Sequence, residues 1–132
     1  MNRQEVFNKV ARALKKQGSQ ARGPVSGWSA YGFVPGAYGC VYLTQDGRRC
    51  AVGHLIPDGH PGLQVEGSLN GLLDLYPDLR EVLEIEDEED DLAFLSSLQE
   101  AHDDSSGTFL EEWVPRMRGI AERYDLNAEV LS

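Results

Sequence analysis

Apolar positions recur at helical spacing near the start of the chain, where Val6, Phe7, Val10, Ala11 and Leu14 fall on one stripe. The pattern predicts a helix over residues 2–17. Arg12, Lys15 and Lys16 lie toward the other side and the last turn, where cations suit the dipole, and Gly18 is placed to end it. The period then disappears. Residues 18–39 are rich in Gly, Ser, Pro and aromatics and read as a long loop. Trp28, Tyr31, Phe33 and Tyr38 are too apolar for a free linker, so they either pack on the core or form an aromatic contact surface. Cys40 to Thr44 is rich in β-formers and runs into Gln45-Asp46-Gly47, a turn signal that makes Arg48 to Cys50 the return strand. A three-residue loop with a bulge puts Tyr42 opposite Cys50, with Cys40 diagonally on the same face. A two-residue turn puts the thiols on opposite faces.

Helical signals return after this hairpin. Cys50 to Ile56 predicts a short helix that Pro57 terminates, and residues 58–67 read as a loop. Ser68 is a candidate N-cap for a helix carrying Leu69, Leu72, Leu73 and Leu75. Pro77 starts the next turn, with Leu79, Val82 and Leu83 as its inner face. Residues 84–91 hold seven acids in eight positions, and the last of them open a helix that carries Leu92, Phe94, Leu95 and Leu98 to about His102. Ser106 and Thr108 are candidate caps for a final helix that carries Leu110, Trp113, Val114, Met117, Ile120, Ala121 and Tyr124, in which Pro115 either makes a kink or marks the true first turn. No internal repeat and no boundary interrupts this order. The expectation is one domain over residues 1–132, mainly α (α+β), a compact helical domain with one small β-hairpin.

Charge changes the picture more than composition does. The net charge of −10 is split unevenly. Residues 1–49 hold eight Lys or Arg against two acids, a balance of +6, and residues 50–132 hold four Arg against twenty acids, a balance of −16. Phosphate backbones repel such a surface, so direct nucleic-acid binding is not expected. No apolar run approaches the roughly 18 to 20 residues that span a bilayer, and the first residues lack the apolar stretch of a secretory signal. A cytoplasmic protein with no membrane partner is expected, and its two cysteines then stay reduced.

Cys40-x-Tyr42, Asp46-Gly47-x-x-Cys50-Ala51-Val52-Gly53-x-Leu55-Ile56-Pro57-Asp58 and Leu98-Gln99-x-x-His102-Asp103 together form a recognisable series. It resembles a group of small uncharacterised proteins encoded by bacteriophages, prophages and bacteria. The resemblance covers most of the chain outside residues 21–38. It implies a phage-related setting and no particular chemistry.

Three readings of the cysteines and histidines stand side by side. Both thiols can be small buried apolar residues on the hairpin's core face. Alternatively Cys50, beside Arg48 and Arg49 at a helix start, is a nucleophile with His102 as base and Asp103 orienting it. Cys40, Cys50, His54 and His60 give a C-x9-C-x3-H-x5-H spacing that matches no zinc module, so neither a metal nor another cofactor is expected. The acidic run is either a solvated helix start or a contact surface. In the second case Asp87, Glu88, Glu89 and Asp90 bind a host or viral protein, including one that itself binds nucleic acid, by mimicking nucleic-acid charge. Two function classes follow. The preferred one is a non-enzymatic interaction or inhibitory protein acting through its acidic surface. The alternative is a small cysteine-dependent hydrolase or transferase built on Cys50 and His102.

Overall fold

The computed structural model describes every residue except Gly27, Ala30, Tyr31 and Val34, and describes only the backbone of Trp28, Ser29 and Phe33. The proposed packing of Trp28, Tyr31 and Phe33 therefore lies outside the described side chains. Helix α1 (Arg3–Gln17) begins where the Asn2 side chain accepts the Glu5 amide and ends at Gly18, whose φ of 70° no side chain opposes. It buries Phe7, Val10, Ala11 and Leu14, the stripe expected from the spacing.

The segment expected to be a loop holds the hairpin instead. Strand β1 (Arg22–Pro24) pairs antiparallel with β4 (Tyr38–Cys40), so that Arg22 faces Cys40, and a two-residue ladder of β2 (Trp28–Ser29) with β3 (Gly32–Phe33) lies within it. Gly, Pro and Ser at these positions give no β-former pattern, and short peripheral strands tolerate them. Tyr38 is exposed, yet it staples the hairpin: its hydroxyl donates to the Arg22 carbonyl (3.0 Å) and the Arg22 guanidinium lies 5.7 Å from its ring centre.

The expected ladder from Cys40–Thr44 to Arg48–Cys50 shrinks to one bridge, Leu43 with Arg49. Thr44 and Arg48 close a three-residue loop, with Gly47 at φ 90°, which sets Tyr42 opposite Cys50 as the bulged alternative requires. The chain then turns into a 3₁₀ helix (Val52–Leu55) rather than continuing as a strand. Gly53 permits this, since any Cβ there would be driven into the Tyr42 carbonyl oxygen.

After a second 3₁₀ turn (Pro61–Gln64), Ser68 caps α2 (Leu69–Leu75). Helix α3 (Leu79–Val82) ends at Glu84, which takes the left-handed conformation (φ 56°) while the Ile85 amide bonds back to the Arg80 carbonyl. Leu79 and Leu83 are buried as expected. Val82 is not: it is 41% exposed, because the single turn of α3 turns only one side inward. Asp87 caps α4 (Glu88–Asp103), Thr108 precedes α5 (Phe109–Arg123), and Pro115 lies inside α5 rather than in its first turn. Phe94, Leu95 and Leu98 of α4 pack with Trp113, Met117 and Ile120 of α5 and with α1 in one core. The fold is mainly α with one small β-hairpin. Among the described residues no helix is long and apolar enough to cross a membrane.

Candidate functional site

His102 is fully buried at the last turn of α4, where it clamps the start of the hairpin to the helix. The Ala21 amide donates to its Nε2 (2.9 Å). A backbone amide can only donate, so Nε2 keeps its lone pair and the ring hydrogen sits on Nδ1. From Nδ1 it is donated to Asp103 Oδ1 (2.8 Å). Gln20 completes the clamp by donating its side-chain amide to the carbonyls of His102 (3.0 Å) and Asp103 (2.8 Å), two groups that a helix end leaves without intrahelical partners. The ring also lies edge-on to Phe109, with centroids 5.9 Å apart.

The expected orienting pair His102 and Asp103 is thus brought together, but the thiol beside it is Cys40. Ligand atoms of Cys40, His102 and Asp103 lie within 4.8 Å of one another. Pairing of Arg22 with Cys40 carries that thiol to the α4 end, a placement that only the unexpected hairpin creates. The Cys40 thiol is pushed up to about 11, first by burial and then by the negative charge of the Asp103 carboxylate beside it.

Cys50 sits apart in the core, fully buried, with its sulfur accepting the Gly53 amide at 3.3 Å. Burial pushes its thiol up to about 12, and the hydrogen bonds from Gly53 and Gln99 do not offset this. The two arginines expected to stabilise a thiolate are occupied elsewhere. Arg48 holds Asp46 (3.1 Å) and the Gln20 carbonyl (2.8 Å), while Arg49 holds the Gly53 and Ile56 carbonyls and Asp58. Gln99 ties the two halves together, accepting the Val52 amide (3.0 Å) and donating to Asp103 (3.1 Å). Gln20 carried no signal in the sequence beyond being a polar residue beside apolar positions, and Gln99 stood out only as a member of the Leu98-Gln99-x-x-His102-Asp103 series.

This geometry is that of a structural lock. A nucleophilic cysteine needs a thiolate and a base with a free lone pair. Both thiols hold their protons far above neutrality, and the one lone pair of His102 is committed to Ala21. The same commitment denies His102 to a metal ion at Nε2, and Nδ1 bears the hydrogen. The C-x9-C-x3-H-x5-H set does not assemble either. His54 bonds Gln17 (3.0 Å) and His60 bonds Asp78 (2.8 Å) and the Gly62 amide (2.9 Å). Searches of family models, curated proteins and solved structures find no match to this chain.

The acidic run presents a different kind of site. Asp91 is buried and structural: it accepts the Glu86 and Asp87 amides and pairs with Arg3 (3.1 Å), and the hydrogen bonds and Arg3 together hold its carboxyl below the usual range despite burial. Asp87 caps the helix by accepting the Asp90 amide, and Glu88 pairs with Arg80 at 2.7 Å. Glu89 and Asp90 project their carboxylates without a side-chain partner among the described residues. Over residues 74–90 nine carboxylates are exposed (Asp74, Asp78, Glu81, Glu84 and the five acids of 86–90) against a single cation, Arg80. Leu75 (65% exposed) and Val82 stand among them.

Proposed function

We propose that the protein is a non-enzymatic interaction protein that binds a positively charged partner protein through the acidic surface of residues 74–90. The observation that carries this reading is the nine exposed carboxylates of that stretch, set among exposed Leu75 and Val82. Isolated exposed apolar side chains are ordinary, but apolar groups embedded in one sign of charge suit a partner that supplies cations around an apolar contact. The partner class is a host or viral protein with a basic surface, including one that binds nucleic acid, in the phage-related setting that the sequence resemblance implies. The cysteine-dependent alternative has no support from the lock around Cys40, Cys50 and His102.

Affinity capture from host lysate, followed by mass spectrometry, tests this directly when wild type is compared with a variant carrying Glu81→Gln, Glu84→Gln, Glu89→Gln and Asp90→Asn. The proposal expects a basic protein in the wild-type eluate and its loss from the variant. Equal capture by both would refute it.

A further inference from the structure

One cleft on the molecule joins the two properties of the acidic surface. It has a volume of about 150 Å³ and is lined by Val6 and Lys9 of α1, Leu55, Val82 and Leu83, with Glu5 and Glu84 also at its wall. That volume is close to what accommodates one benzene-sized apolar group. Four of the lining residues are apolar, and Val82 is the side chain that α3 leaves facing outward.

Resting on the function proposed above, we infer that this cleft receives one large apolar side chain from a cationic amphipathic helix of the partner protein. Charge complementarity chooses the occupant. The α3 side of the cleft carries Glu84, with Glu81 and Glu86 close to it in sequence; all three are exposed, and among the described residues no cation forms an ion pair with Glu81 or Glu84. Arg80, the cation nearest to these acids in sequence, is committed to Glu88. Among the described residues Lys9 is the one positive group at the wall, and it stands one helical turn from Glu5, which offsets it. An acidic helix would meet like charge on entry, and an uncharged apolar one would leave these carboxylates desolvated without partners. A helix with an apolar face and flanking Lys or Arg places its anchor in the cleft and its cations beside Glu81 and Glu84.

The test uses the full chain with labelled Leu and Val methyl groups and two synthetic peptides of identical Leu and Lys composition. In one the leucines recur at helical period; in the other they are scattered. The inference expects the helical peptide to shift the methyl signals of Val6, Leu55, Val82 and Leu83 and to bind roughly tenfold tighter than the scattered one. Val82→Ser, at a side chain exposed enough to leave the fold intact, should weaken the helical peptide about fivefold and leave the scattered one unchanged. Equal binding of both peptides, insensitivity to Val82→Ser, or shifts located elsewhere would overturn the cleft as the docking point while leaving the acidic-surface reading intact. Failure of both peptides to bind at low salt would overturn both readings.

Discussion

Replacing His102 by Phe keeps a ring in the core and removes both of its hydrogen bonds, so it isolates what the lock contributes. Ala21 is fully buried, and its amide would lose its acceptor. An orphaned buried donor costs about 1 to 3 kcal/mol. Asp103 is only half-buried and keeps its bond from Gln99, so water replaces what it loses at little cost. The larger ring adds about 1 kcal/mol of crowding against Phe109. The expected loss is about 2 to 4 kcal/mol, a fall in Tm of roughly 8 to 16 °C at this chain length. His102→Gln supplies an oxygen where Nε2 stood, so it retains the Ala21 bond and should lose only about 1 to 2 kcal/mol from ring packing. Thermal and urea unfolding give the order, and hydrogen exchange should show the Ala21 amide losing protection in the Phe variant alone. A Phe variant as stable as wild type, or more stable than the Gln variant, would refute the lock.

Burial lowers the His54 pKa to about 4, helped by the nearby Arg49 charge. The unfolded chain gains this proton near pH 6.5 and the folded one does not, so stability is unaffected above that value. It should fall by about 1 to 2 kcal/mol between pH 6.5 and 4, discounted because the ring is partly solvated; His54→Gln should remove that component of the pH profile, and an unchanged profile would contradict it. Asp91 acts lower. Its depressed pKa stabilises the fold above the ordinary carboxylate range, and this is lost as pH falls through the folded-state value. Glu84→Gly relieves a left-handed backbone at the end of α3 and should raise stability by about 0.5 to 1 kcal/mol in urea unfolding; a loss would show that the Glu84 side chain supports the fold. Purified protein should hold less than about one zinc in twenty chains by elemental analysis, since His102 offers no lone pair beside Cys40; stoichiometric zinc would overturn that tautomer.

Local chemistry made the helices legible. Gly18 and Ser68 each mark an end that the backbone itself requires, and the stripes of α1 and α5 are regular; the Asn2 and Asp87 caps emerge only in the structure. The hairpin was hidden because its pairing is stabilised by contacts distant in sequence. Gln20 and Ala21 bond to the end of α4, and Ser26 donates its amide to Glu66 (2.8 Å). No spacing rule joins residue 21 to residue 102. The same gap concealed the thiol beside His102, because Cys40 arrives there only through its pairing with Arg22. Val82 was misplaced because a single helical turn is too short for periodicity to define an inner face.

The acidic surface is tested most directly by the rate at which the protein associates with the basic partner it captures. Asp87→Asn, Glu88→Gln, Glu89→Gln and Asp90→Asn together keep the helix cap, because Asn caps as well as Asp, and they spare the buried Asp91. The account predicts that wild-type association slows steeply as salt shrinks the screening length from about 10 Å at 0.1 M to about 3 Å at 1 M. It predicts slower association with a flatter salt dependence for the fourfold variant, and no change on Cys50→Ser. An on-rate indifferent to salt and to the four amides, or one lost on Cys50→Ser in a folded protein, would contradict it.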